Sequence, residues 1–72
     1  MRQYVPETIG ERIRLMREKA YMTRTALARL SYVSRKTVTA WENDERFPKS
    51  CDIKRLAEIF NTSCDYIIIG KN

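Results

Sequence analysis

The stretch from Thr23 to Trp41, TRTALARLSYVSRKTVTAW, constrains the fold more than any other part of the chain. It reads as two short helices joined by a tight turn. Thr23 and Ser34 stand where a side-chain oxygen can accept from a free N–H of a helix's first turn. Leu27 and Ala28 face inward from the first helix, over about Arg24 to Leu30, and the small Ala28 lets the two helices approach closely. Ser31-Tyr32-Val33 is the turn, with Val33 carried inward as a plug. The second helix, from Arg35 to Trp41 or Glu42, divides into two arcs. At about 100° per residue, Arg35, Lys36, Thr39, Ala40 and Asn43 share one arc, and Thr37, Val38, Trp41 and Glu42 share the other. The Val38–Trp41 side is suited to burial, so Trp41 is expected to be a core residue rather than a stacking platform for single strands. The opposite side is small, cationic and hydrogen-bonding. Such a helix fits a DNA major groove, where Arg, Lys and Thr reach base edges and phosphates.

The remaining sequence is helical in period as well. Only two glycines and two prolines punctuate it, so connections are few and short, and no segment alternates as a strand does. A helix is expected over Thr8 to Lys19, with Ile9, Ile13, Met16 and Ala20 as its apolar stripe and Thr8 with Glu11 as a capping box. Residues 1–7 form a loose arm before it. After the loop Asn43–Lys49, Ser50 is expected to cap a fourth helix whose stripe is Ile53, Leu56, Ala57 and Phe60. Ser63 caps a short fifth helix through Ile69, and Gly70 stops it. One shared core around Ile13, Met16, Leu27, Val38, Trp41, Leu56 and Phe60 satisfies these stripes. The fold class is therefore all-α, a compact five-helix arrangement in a single domain over residues 1–72.

Charge and cysteine usage narrow the partners. Fourteen Lys and Arg against nine Asp and Glu give a net charge of +5, and such a domain attracts polyanions. No apolar run approaches the roughly 20 residues needed to span a bilayer, and the N-terminus lacks the apolar stretch of a secretion signal. The expected location is the cytoplasm. Cys51 and Cys64, with no histidine in the chain, cannot complete a zinc shell, so no metal or other cofactor is expected. With no histidine, no clustered carboxylates and no glycine-rich phosphate loop, enzymatic chemistry is not expected, nor is a small-molecule ligand.

Several strings resemble the Cro/repressor-type helix-turn-helix family, also called the XRE family: Ile9-Gly10-Glu11-Arg12-Ile13, Leu27-Ala28, Val33-Ser34, Trp41-Glu42-Asn43, then Pro48, Leu56-Ala57 and Asp65-Tyr66-Ile67. The resemblance covers about residues 8 to 70. It implies a five-helix domain of the lambda-repressor-like type that binds double-stranded operator DNA, commonly as a homodimer. It further implies that Thr23 and Arg24 lie at the backbone or an adjacent base, and that Ser34, Arg35, Lys36, Thr39 and Ala40 sit at base edges or the adjoining backbone. Asn43 and Arg46 would hold phosphates beyond the recognition helix. Arg17 and Glu42 match the family's ion pair between the first and third helices. Three residues depart from the pattern. Arg24 stands where glutamine is usual. Tyr32 stands where glycine is common, so the turn is expected to be reshaped or strained. Ala40 is too short to hydrogen-bond a base and can only touch a thymine methyl or leave that base unread.

Together these features imply a sequence-specific regulator, a repressor acting by promoter occupation. The competing reading is a protein-interaction module or antitoxin-like partner with DNA binding secondary. Ile67-Ile68-Ile69 cannot all face one core, and the surplus is the candidate dimer contact. Arg12, Arg14, Arg29, Lys54 and Arg55 are expected to be ordinary surface charges.

Overall fold

The structure, a computed structural model, describes residues 6–71. The arm expected at the N-terminus lies largely outside them; Pro6 and Glu7 precede the first helix without regular structure. Five helices follow in order among the described residues: α1 (Ile9–Lys19), α2 (Arg24–Ser31), α3 (Arg35–Glu42), α4 (Ser50–Ile59) and α5 (Cys64–Ile69). Four of them start where a Thr or Ser side chain accepts from a free N–H of the first turn. Thr8 accepts from the Glu11 N–H at 3.0 Å, and the Glu11 carboxylate accepts in return from the Thr8 N–H at 3.1 Å. Thr23, Ser34 and Ser63 cap α2, α3 and α5 in the same manner. Ser50 does not cap α4. It is the helix's first residue, Lys49 occupies the cap position, and Asp52 accepts from the Lys49 N–H at 3.1 Å.

The core joins all five helices. Ile13, Leu27, Ala28, Val38, Trp41, Ile53, Leu56, Ala57 and Ile67 are buried together. Met16 and Phe60, expected at the centre, are only partly buried and pack against its edge. Ala20 is exposed, because it already caps the end of α1. Ile67 takes the place they leave, so α5 contributes a central residue that its six-residue length did not advertise. The helices α2 and α3 pack on each other, α1 packs on α3 and α5, and α4 packs on α2 and α5.

Arg12 is not a surface charge. It is 5% exposed, and its guanidinium donates to the main-chain carbonyls of Ile67 at 2.9 Å and Ile68 at 2.7 Å. These carbonyls belong to the last turn of α5, where no helical N–H remains to satisfy them and where the helix dipole favours a cation. Arg12 thus closes α5 from α1.

Four helices end through a non-glycine residue in the left-handed region: Tyr21 at φ 57°, Tyr32 at 58°, Asp44 at 59° and Asn61 at 53°. In each case the following N–H returns to a carbonyl five residues back, as Met22 to Arg17, Val33 to Ala28, Glu45 to Ala40 and Thr62 to Ala57. The bond satisfies an orphan carbonyl and turns the chain. Tyr32 therefore keeps the backbone shape that a glycine would give; the turn is not reshaped. Its ring lies 4.6 Å from the Arg55 guanidinium, a cation–π contact that removes Arg55 from the set of plain surface charges.

Gly10 marks a close approach of another kind. A Cβ there would lie 2.4 Å from the Trp41 carbonyl oxygen and 2.7 Å from both the Glu42 carbonyl oxygen and Asp44 Oδ1. Gly10→Ala is expected to destabilise the fold by about 1–3 kcal/mol, because the obstacles are chiefly main-chain atoms. Tyr21→Gly is expected to act in the opposite direction. Tyr21 is 96% exposed, and relief of its left-handed backbone outweighs the added unfolded-state freedom by about 0.5–1 kcal/mol. Denaturant melts of the two variants against the parent protein check both signs.

Candidate nucleic-acid interface

The caps of α2 and α3 fix the surface that the two-helix motif presents. Thr23 Oγ1 accepts from the Ala26 N–H at 3.0 Å. Ser34 Oγ accepts from the Thr37 N–H at 3.2 Å and lies 2.9 Å from Thr37 Oγ1. Thr39 donates its hydroxyl to the Arg35 carbonyl one turn back at 3.1 Å. Its hydrogen is therefore already used, and its methyl and remaining lone pairs are what it can offer outward.

Six of the residues expected on the nucleic-acid face come together. Arg24, Ser34, Arg35, Lys36, Thr39 and Ala40 line one open hollow, joined by Glu45. Arg35 and Lys36 are exposed. Thr23, Asn43 and Arg46 do not line this hollow. Thr23 is the exposed cap beside Arg24, and Asn43 is exposed at the end of α3, where its N–H donates to the Thr39 carbonyl at 3.0 Å. Arg46 lines a second hollow that shares Ser34 with the first and includes Tyr32, Thr37, Phe47, Lys49 and Cys51. The cations thus occupy two adjoining depressions, one along α3 and one between its first turn and the loop before α4. Glu45 was not singled out from the sequence. It lies beyond the end of α3, so a helical arc does not include it, and only the tight Asp44 turn brings it back beside Ala40.

Behind this surface lies an ion cluster centred on Glu42, with Glu18 at its edge, 4.0 Å from Arg17 NH2. Arg17 Nε is 2.6 Å from Glu42 Oε2, and its NH2 donates to Glu42 Oε1 at 3.3 Å. Arg17 NH1 donates to the Met22 carbonyl at 2.8 Å. Arg24 Nε donates to Glu42 Oε1 at 3.0 Å. The Glu42 side chain is 1% exposed, Arg17 10% and Arg24 34%. The expected two-member pair is therefore a cluster of two guanidiniums on one buried carboxylate, and Arg24 belongs both to it and to the hollow.

At the other end of α5, the three isoleucines separate. Ile67 is fully buried and so leaves the set of candidate dimer contacts; Ile68 and Ile69 are 41% and 63% exposed. No helix among the described residues is long and apolar enough to cross a membrane.

The profile of a helix-turn-helix domain matches residues 8–65. The chain belongs to that helix-turn-helix family. Within it, the relatives are of the Cro/repressor type. The chain is 31% identical over 64 residues to repressor protein C2 of Salmonella phage P22, an alignment that spans 89% of this chain and 30% of the phage protein. It thus spans about a third of that relative's length. The P22 c2 repressor, crystallised in complex with a synthetic operator, superposes with a TM-score of 0.87 at 31% identity, over 90% of this chain and 98% of that one. The restriction-modification controller protein C.AhdI of Aeromonas hydrophila superposes with a TM-score of 0.76 at 25% identity, over 83% of this chain and 91% of its own.

The ion cluster makes a directional prediction about stability. Arg17→Ala leaves Glu42 with Arg24 as a partner, whereas Glu42→Ala takes the buried carboxylate from both arginines and leaves the well-buried Arg17 only Glu18 at 4.0 Å and the Met22 carbonyl. Glu42→Ala is expected to cost more, on the order of 3 kcal/mol or above, with the double variant costing less than the sum. Thermal and denaturant unfolding of the three variants reads this out, and additive effects would mean that the residues are not coupled.

Proposed function

We propose that this helix-turn-helix domain is a sequence-specific, double-stranded DNA-binding regulator, a cytoplasmic repressor that acts by occupying a promoter. The observation that carries the reading is the shared hollow: Arg24, Arg35 and Lys36 on one surface with Thr39 and Ala40, against a single carboxylate, Glu45. An α-helix with that composition fits the major groove, and its cations can meet both base edges and phosphates. The P22 relative, a repressor seen on an operator, supports the same assignment. In this reading α3 enters the groove, with Thr23 and Arg24 on one backbone and Asn43, Arg46 and the loop to Lys49 on the other. The domain needs no cofactor and performs no chemistry.

Specificity within this reading falls on few side chains. Arg35 and Lys36 carry most of it, since Ala40 offers only a methyl and Thr39 has spent its proton inside the helix. Glu45 near the hollow repels phosphates or accepts from a cytosine amino group, and either effect restricts the tolerated sequences.

Binding to random and selected duplexes across a salt range tests the proposal. Affinity should fall steeply with salt. Arg35→Ala should relax preference at one position, at a cost of about 1–3 kcal/mol, while Arg46→Ala should weaken all duplexes alike and reduce the salt slope by about 1. Equal affinity for selected and scrambled duplexes would remove the sequence-reading role.

One recognition helix covers few base pairs, so we extend the reading to a homodimer on a two-fold operator, with recognition helices about 34 Å apart. The exposed pair Ile68 and Ile69 is the contact surface in this reading. Sedimentation should give two chains per operator duplex. Ile69→Asp should reduce that to one and weaken operator binding while leaving the melting temperature close to that of the parent, because the side chain is outside the core. One chain per duplex for the parent protein would eliminate the dimer.

A further inference from the structure

The two arginines on Glu42 are not equivalent. Arg17 is consumed within the protein: Nε and NH2 go to Glu42 and NH1 to the Met22 carbonyl. Arg24 spends Nε alone. Among the described residues its other guanidinium N–H groups meet no acceptor, and its side chain lines the hollow beside Arg35 and Lys36. Arg17 also has a second carboxylate, Glu18 Oε2, 4.0 Å from its NH2, whereas among the described residues Arg24 has Glu42 alone and is the more exposed member, at 34% against 10% for Arg17.

A guanidinium is planar and rigid, so an anchor at Nε fixes the direction of the whole fork. An ordinary surface arginine gives up its rotamer freedom when it binds a ligand. Here that freedom is given up on folding, because the anchor is a carboxylate that the core itself immobilises. We propose that Glu42 is a positioning residue for DNA binding. It holds Arg24 in place before DNA arrives, and the unspent edge of Arg24 receives a backbone phosphate. The proposal rests on the duplex-binding reading above. A phosphate suits the geometry better than a base does. Arg24 opens α2, which lies beside the recognition helix, and two phosphate oxygens match the parallel N–H groups of the fork. Glu42 itself is 1% exposed and faces two cations, so its own charge does not repel the ligand.

The test is a binding cycle on a duplex selected from random DNA, at a temperature where all proteins are folded. Arg24→Ala should weaken binding about tenfold and lower the slope of log K against log salt by about 1. Glu42→Gln should weaken binding several-fold in the parent and change little in the Arg24→Ala background. An equal loss in both backgrounds would mean that Glu42 acts on the fold alone, and that overturns the proposal. So does an Arg24→Ala protein with unchanged affinity and slope. Should Glu42→Gln fail to fold, the Arg24 Nε–H resonance of the parent decides without DNA. It should be rigid and slow to exchange in the free protein; mobility equal to that of exposed Arg29 overturns the proposal. A parent protein that binds no duplex overturns the functional reading and this inference together, whereas a parent that binds while Arg24 is mobile overturns this inference alone.

Discussion

The Glu42 carboxylate is the point on which the arrangement of the motif depends. A buried carboxylate is tolerated only when cations and hydrogen bonds replace the water it has lost. Glu42 obtains them from Arg17 of α1 and Arg24 of α2, while standing in the last turn of α3. Three helices must therefore keep one relative position for one charge to remain satisfied. The site is doubly demanding because the C-terminal end of a helix carries a partial negative charge and disfavours carboxylates. The same is true of Asp44, two residues on. Its oxygens are taken by the Gly10 N–H at 2.9 Å and the Thr8 hydroxyl at 2.8 Å, at the positive end of α1. The end of α3 is thus held from both sides by groups that only a correctly packed α1 and α2 can supply.

The helix ends are built with the same economy. Left-handed residues with bulky side chains are unfavourable by about 1–2 kcal/mol relative to glycine, yet tyrosine stands at two of the four such positions. At Tyr32 a compensation is visible, since the ring lies under Arg55 of α4 and ties the motif's turn to the helix behind it. At Tyr21, almost wholly exposed, nothing in the structure explains the tyrosine. The returning hydrogen bond at each end keeps the turns tight, and the Asp44 turn is the one that swings Glu45 back beside α3.

What the sequence made legible follows the range of the interaction that carries it. Periodicity and hydroxyl caps are local, so the helices fall within a residue or two of their expected bounds and Val38 and Trp41 lie on the buried arc. The surface arc of α3 is a local property too, and its side chains other than Asn43 share one hollow. Of the features carried by contacts between distant segments, the Arg17–Glu42 pair was legible through the family resemblance; the others were not. Arg12 reads as a helix-surface cation until α5 presents its carbonyls to it, 55 residues away. Gly10 reads as an ordinary helical glycine until the end of α3 is seen against it. Ile67 is indistinguishable from its two neighbours by type, and only the direction of a six-residue helix separates it from them. The third member of the ion cluster escaped for a related reason: Arg24 looks outward in a helical projection, but its long side chain reaches back to a carboxylate on another helix.

The two buried arginines of α1, Arg12 and Arg17, connect the ends of the proposed assembly. A helix of six residues is too short to persist by itself, so α5 holds its direction through the burial of Ile67 and the Arg12 bonds to its last carbonyls. Ile68 and Ile69 are therefore aimed by α1. Arg17, five residues along the same helix, aims α3 through Glu42. In a two-fold complex the distance between recognition helices is set by how each α3 is disposed relative to the contact at α5. Both are referred to α1, and α1 is a rigid eleven-residue rod. Its buried arginines convert a short, individually unstable helix and α3 into parts of one fixed frame. A frame of that kind matters more here than a large interface would. In the proposed dimer the apolar surface at Ile68 and Ile69 is small, so little binding energy would be available to correct a misplaced partner on the DNA.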